Sequence, residues 1–246
     1  MSEAVSRDMR EAMKEDASKS FTGQWPVPMG RHRFAGAADV NPVLSRVFAS
    51  MRATDVALHP ERAGAFYASE DDLLNRVDVP EFRALVQFIV QSLQDTAQRA
   101  NAQVWPPGQQ PLQLLLTGVW FQIQNGAAFH DLHTHGNCSW SGVYYLQIDP
   151  PDVRAKHTQW GAHNGVTRFY SPMFPLLGGA HMDMGNAFMQ NATLDVSPQE
   201  GELILFPAFL PHKAMPYEGE RERIILSFNA QIHAPQGNQI YRYAGT

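Results

Sequence analysis

Apolar residues recur every three or four positions in two early stretches of the chain, and nearly every second position in most of the later ones. In the first stretch, Val43, Leu44, Val47, Phe48 and Met51 fall at helical spacing. Asn41 followed by Pro42 supplies a start signal, so a helix is expected over 42–52 with Asn41 as its N-cap. Pro80 opens the second, where Phe82, Leu85, Val86, Ile89, Val90 and Leu93 form one stripe running to about residue 100. Such a stripe ordinarily covers the outer face of a sheet. Strand-like runs follow at 112–124, 142–148, 167–171, 193–196, 202–207 and 223–232. Residues 21–34 carry Pro26 and Pro28, which confine them to an edge strand or a capping arm. Residues 55–78 read mostly as loop. Residues 1–20 have charges on every side, and read as a short polar helix or a loose segment.

Helices first and strands afterwards, with no helices between the strands, give a mainly β fold with a helical layer on one side of an antiparallel sandwich or barrel. The six strands fit a double-stranded β-helix, a jelly-roll of cupin-like type. One domain over 1–246 is expected. A helix-rich region (1–111) packs on a jelly-roll core (112–233), and the core is interrupted by an insertion at 149–192. Within that insertion, 173–191 is rich in Gly, Met and Asn, and is either a lid over a cavity or a surface excursion.

Composition narrows the function. The chain has 246 residues, 44% of them apolar and 17% charged, enough for one sizeable core. A net charge of -5 without a Lys/Arg cluster argues against nucleic acid or an anionic membrane as partner, leaving a small-molecule or peptide-like substrate. The single cysteine, Cys138, has no intrachain disulfide partner, and no 18-residue apolar run or signal-peptide core occurs. These features suit a cytoplasmic location. A homodimer through the proline-bearing edge stays open.

The candidate chemistry lies in HDLHTHGNCSWSGVYYLQI (130–148) and GELILFPAFLPHKAMPYEGERERIILSFN (201–229). His133 and His135 stand two apart, so on an extended backbone both imidazoles face one side and can meet one ion. Alone, such a pair is also found as a hydrogen-bonded surface feature. His212 is the third candidate ligand, and the two stretches read as opposite walls of one cavity. Trp120, Phe121, Trp140, Phe206 and Phe209 read as core, and Cys138 as a small buried filler.

The order HxH, SGVYYL, EGELILFP, a distal histidine and RxxxSFN resembles the iron(II)- and 2-oxoglutarate-dependent oxygenases, in particular a bacterial and phage branch of them. The likeness is strongest over 117–148 and 196–229. It implies iron(II) held by His133, His135 and His212, with 2-oxoglutarate and O2 as co-substrates. Arg223, 11 residues after His212, would pair with the far carboxylate of 2-oxoglutarate; a salt bridge to Glu220 or Glu222 is the alternative for this residue. Tyr145, sharing parity with the histidine pair, and Asn229 are further co-substrate candidates, with Tyr144 as the other choice of tyrosine. Related sequences often carry serine where this chain has Ile225. The usual ligand set includes a carboxylate, which here would have to come from Asp131 if His135 does not bind; His130 reads as a loop or supporting residue. The implied reaction is oxidation of an unactivated C–H bond, with release of succinate and CO2. Two other readings are a three-histidine dioxygenase that does not use 2-oxoglutarate and a non-catalytic metal-binding jelly-roll protein.

Overall fold

The computed structural model describes residues 27–105, 112–172, 185 and 192–233. The segment 1–20, and the 173–191 lid apart from residue 185, therefore lie outside the described residues. In chain order the elements are β1 (Gly30–Arg33), α1 (Ala37–Leu58), β2 (Phe66–Ala68), α2 (Leu73–Arg76), α3 (Pro80–Ala100), β3 (Gln113–Gln124), β4 (Ala128–His133), β5 (Trp140–Gln147), α4 (Pro151–Arg154), β6 (Thr167–Tyr170), β7 (Thr193–Val196), β8 (Glu202–Pro207), β9 (His212–Tyr217) and β10 (Arg223–His233). Short 3-10 turns cover Pro60–Arg62 and Gly161–His163. The strands form two antiparallel sheets, a major one in the order β1-β8-β5-β10-β3-β2 and a minor one in the order β4-β9-β6-β7. This is the sandwich expected of a jelly-roll, with β1 at an edge of the major sheet as the prolines require.

Alternation along the major strands sorts side chains between two layers. Phe121 and Ile123 of β3, Tyr144 and Leu146 of β5, Leu203 and Leu205 of β8, and Ile224, Leu226 and Phe228 of β10 face the helices. There they meet Leu44 and Phe48 of α1 and Phe82, Leu85, Ile89 and Leu93 of α3. Phe48 and Phe121 stack with ring centroids 4.6 Å apart. The opposite parity, with Tyr145, Ile204, Phe206 and Ile225, faces the minor sheet and packs on Phe169, Val196 and Leu210. The helices thus seal one face of the major sheet and leave the other for the site. Among the described residues no helix is long and apolar enough to cross a membrane.

Three expectations need correction. Helix α1 begins at Ala37, ahead of the Asn41-Pro42 signal, and runs on through Leu58. Asn41 is therefore not a cap; it is buried inside the helix, where its Nδ2 donates to Leu146 O (3.0 Å) and its Oδ1 accepts from Tyr144 OH (2.7 Å). Pro42 is the sixth residue of the helix and lies inside it, so the helix forgoes one i→i−4 bond at that point. The stretch 55–78 holds the end of α1, β2 and α2 as well as loop. The minor sheet also contains two strands that the pattern did not show, β4 and β9.

Candidate metal centre and co-substrate pocket

Both unexpected strands carry histidines. His133 ends β4, His212 begins β9, and the two residues are register partners in the minor sheet. They share one wall, so the two sequence stretches are not opposite walls; the facing wall is β3, β5 and β10 of the major sheet. The β4–β9 register shifts between His130/Ala214 and His133/His212, leaving one extra residue on β4. That bulge turns His130 and His133, three positions apart, onto the same cavity. His135 lies just past the strand and is anchored by its backbone N–H donating to Ala208 O (2.9 Å).

The ligand atoms of His133, His135 and His212 all lie within 4.8 Å of one another, and no carboxylate joins this group among the described residues. The Nε2 atoms of His135 and His212 are 3.4 Å apart. Two nitrogens each about 2.1 Å from a shared ion are roughly 3.0–3.4 Å apart, so this pair suits a common metal. His133 Nδ1–H donates to Asp131 O (2.6 Å) and His212 Nδ1–H to Leu210 O (3.0 Å). A carbonyl only accepts, so both rings keep the tautomer with a lone pair on Nε2. Burial pushes His212 down to about 3 and His135 to about 4, with neighbouring histidines adding to the shift. Near neutral pH these two imidazoles are uncharged and ready to ligate. A donor set of three imidazoles suits iron, zinc, copper or nickel.

Asp131 is exposed and points away, with its carboxylate 3.5 Å from Lys213 Nζ. His130 stacks on His133 at 4.0 Å and lines the cavity; burial lowers it to about 4.

The cavity has a volume of about 30 Å³ and is lined from the histidines to Arg223. Arg223 is 1% exposed. Its Nη1 donates to Gln124 Oε1 (2.8 Å), its guanidinium lies 5.4 Å from the Tyr145 ring centroid, and its Nε–H has no partner. Neither candidate salt bridge forms. Glu222 pairs with Arg52 (2.6 Å), and no ion pair joins Arg223 to Glu220 among the described residues. Tyr145 faces the cavity side, as parity requires, but its hydroxyl is bonded to Thr167 Oγ1 (2.7 Å); Tyr144 faces the helices. Asn229 is absent from the cavity lining, and its Oδ1 accepts from Ser141 Oγ (2.7 Å), tying β10 to β5. Ile225 lines the wall beside Arg223.

Sequence reasoning missed Trp120, Gln122 and Gln124. Trp120 was expected in the core, yet it lines the cavity with its ring 6.1 Å from that of His135. Phe209, also expected in the core, is 59% exposed on the turn before His212. Phe121, Trp140 and Phe206 are buried as expected, and Cys138 is half-buried with its Sγ 3.8 Å from Ser141 Oγ. The available signal was the polar parity of WFQIQ: an amide at every second position of a buried strand marks a polar face.

Comparison with known proteins bears on this constellation. Residues 118–229 match a family model described as "Putative 2OG-Fe(II) oxygenase". A search of curated proteins finds no match. Solved structures similar to this chain include a Pseudomonas putida prolyl-4-hydroxylase, 16% identical over 89% of this chain and 97% of that one, with a TM-score of 0.48. The alpha-ketoglutarate-dependent epimerase SnoN from nogalamycin biosynthesis is 16% identical over 96% of this chain and 89% of that one (TM-score 0.49). HygX from Streptomyces hygroscopicus, solved with nickel and 2-oxoglutarate bound, is 14% identical over 83% and 82% (TM-score 0.48). The stretch that matches the 2OG-Fe(II) oxygenase family model, residues 118–229, includes the three histidines and Arg223.

Proposed function

We propose that His133, His135 and His212 hold iron(II), that 2-oxoglutarate binds with its far carboxylate on Arg223, and that the enzyme hydroxylates an unactivated C–H bond of a small-molecule or amino-acid-like substrate. The observation that carries this reading is Arg223, a buried guanidinium without a carboxylate partner, in the same cavity as three convergent imidazoles. Burying an unpaired charge is costly, and an incoming carboxylate offsets that cost through two parallel charge-assisted bonds.

Iron(II) with 2-oxoglutarate and O2 supplies oxidative decarboxylation to succinate and CO2, coupled to oxidation of the substrate. The chain's residues set the conditions. The carbonyls of Asp131 and Leu210 hold two imidazoles in the ligating tautomer. Arg223 fixes the far end of the co-substrate, with the Tyr145 ring behind the guanidinium and Thr167 holding the tyrosine hydroxyl. Val143 and Ile225 line the wall between and exclude water, which strengthens the ionic contact. Three neutral imidazoles leave the metal one positive unit above a set containing a carboxylate, favouring an anionic co-substrate.

The test is anaerobic titration of the purified protein with iron(II) and then 2-oxoglutarate, following the visible absorption of the chelate in wild type and Arg223→Ala. The reading expects a band in wild type, at least tenfold more co-substrate needed in the variant, and succinate release with a competent substrate. Iron binding without a band, or equal affinity in both proteins, overturns it.

A further inference from the structure

The cavity wall supplied by the major sheet is built in rows, because residues paired across β3, β10 and β5 stand side by side on one face. Gln124 and Arg223 make one row, Gln122, Ile225 and Tyr145 the next, and Trp120, Ser227 and Val143 the third. Burial grades these rows in order. Arg223 and Ile225 are buried, whereas Trp120 and Val143 are half-buried, as is His135, whose ring lies 6.1 Å from that of Trp120. The cavity therefore closes at Arg223 and opens beside Trp120. Ser227 stands four positions after Arg223, which is about 13 Å along an extended strand. A five-carbon diacid is roughly 6–7 Å from end to end at ordinary bond lengths, so one held at Arg223 stops near the Ile225 row. The third row is left for the other reactant.

Ser227 sits in a notch between two larger neighbours, Trp120 on one side and Val143 on the other. It is 5% exposed and lines the cavity, and among the described residues its hydroxyl makes no hydrogen bond. A buried hydroxyl normally has a partner. The indole beside it offers a flat apolar face of the kind that stacks on another ring. No carboxylate lines the cavity among the described residues, so an ammonium group would enter without a counter-charge. The enclosed volume, about 30 Å³, is too small for a ring, so a ring rests over Trp120 at the opening and turns its polar atom into the notch. We infer that Trp120, Ser227 and Val143 form the seat of the oxidised substrate, a flat-ring compound that carries a carbonyl or hydroxyl oxygen and no positive charge. The inference rests on the proposed oxygenase reading and adds to it the substrate class and the residues that select it. Ser227 bonds the oxygen, Trp120 stacks the ring and Val143 closes the far side of the notch.

The experiment titrates benzamide, toluene and benzylamine into the protein loaded with nickel(II) and 2-oxoglutarate, followed by ligand-observed NMR, and measures 2-oxoglutarate affinity alongside. It uses wild type, Ser227→Ala, Trp120→Leu and Trp120→Phe. Wild type should bind benzamide more tightly than toluene or benzylamine. Ser227→Ala should weaken benzamide by about twofold to tenfold, the worth of one neutral hydrogen bond, and leave toluene unchanged. Trp120→Leu should weaken benzamide and toluene alike by about twofold to tenfold, while Trp120→Phe keeps most of the affinity for both. Ser227→Ala removes a single oxygen, so it carries the test if Trp120→Leu does not fold. Benzamide affinity that is the same in wild type, Ser227→Ala and Trp120→Leu overturns the seat. A Ser227→Ala variant that loosens 2-oxoglutarate and not benzamide does so as well, by giving the hydroxyl to the co-substrate. Benzylamine bound as tightly as benzamide overturns the charge selectivity. Failure of 2-oxoglutarate to bind wild type, with benzamide still dependent on Trp120 and Ser227, overturns the oxygenase reading and leaves a ring-binding seat.

Discussion

His135 Nε2 and His212 Nε2 face each other across 3.4 Å although 77 residues separate them in the chain. The Leu210 carbonyl holds the Nδ1 proton of His212, so its Nε2 presents a lone pair to His135. Two lone pairs at this distance repel, and either a proton or a shared cation must lie between them. A metal ion answers that need with His133 as third donor. Iron(II) or nickel(II), added anaerobically at about 100 times its dissociation constant, should stabilise the protein by about 2.7 kcal/mol. For a chain of this size that is a rise of roughly 5–10 °C in melting temperature. The rise should vanish in His212→Ala and persist in Asp131→Ala, whose carboxylate points to Lys213. A rise lost in Asp131→Ala and kept in His135→Ala would replace the imidazole with the carboxylate in the ligand set.

The long strands of the major sheet were legible because their two faces differ. On β10, Ile224, Leu226 and Phe228 meet the helices while Arg223, Ile225 and Ser227 meet the cavity, and this alternation is present in the sequence itself. Strands β4 and β9 of the minor sheet were illegible for the opposite reason. In AFHDLH the apolar Phe129 and Leu132 are exposed and the histidines turn inward, so the usual rule is inverted. Pro216 in HKAMPY reads as a strand breaker, but the register slip between Ala128/Tyr217 and His130/Ala214 places it in a bulge, where its missing N–H costs no ladder bond. The three candidate ligands were visible as residues, whereas the wall they share depends on pairing between distant segments.

Acid should destabilise the metal-free protein well above the carboxylate range. Burial is the first cause lowering His130 and His135 to about 4 and His212 to about 3, against 6.5 in an unfolded chain. Below pH 6.5 the unfolded chain therefore takes up protons that the folded protein refuses. Stability falls as pH falls, and the decline ends only near pH 3–4, where the folded imidazoles also protonate. The urea midpoint of the apo-protein should drop between pH 7 and pH 5, and less so in His212→Gln. A midpoint that stays level over that range would mean the imidazoles are not held neutral by the fold.

Gly142 lies under the ring of Phe228, so a side chain there meets the Phe228 ring and Leu205 at once. Both neighbours are buried core residues on adjacent strands of the same sheet, with no room to move aside. Gly142→Ala should cost roughly 1–3 kcal/mol through overpacking. Gly142→Ala paired with Phe228→Leu should recover part of that loss. Denaturant unfolding of the single and double variants decides it: equal stability of wild type and Gly142→Ala would show that the sheet yields at this point.

Asn41 fastens helix α1 to the strand beneath it at the place where that strand is irregular. The β5–β10 register passes from Gln147 opposite Ile224 to Tyr145 opposite Ile225, leaving Leu146 as the extra residue. The Leu146 carbonyl is met instead by Asn41 Nδ2 at 3.0 Å, and the same amide accepts from Tyr144 OH at 2.7 Å. Burial and the Asn41 contact act on that phenol in opposite directions, with burial prevailing to hold its pKa well above the usual range. Asn41→Leu preserves size but strands a buried carbonyl and a buried hydroxyl, for a loss of roughly 2–4 kcal/mol. Adding Tyr144→Phe removes one of the stranded groups, so the double variant should lose less than the sum of the two single ones. Tyr144 and Tyr145 face opposite sides of β5, so a loosened bulge would also displace the Tyr145 ring behind Arg223. Asn41→Leu should accordingly weaken 2-oxoglutarate binding although it touches nothing in the cavity. Unchanged affinity in a measurably destabilised Asn41→Leu would show that the bulge serves folding alone.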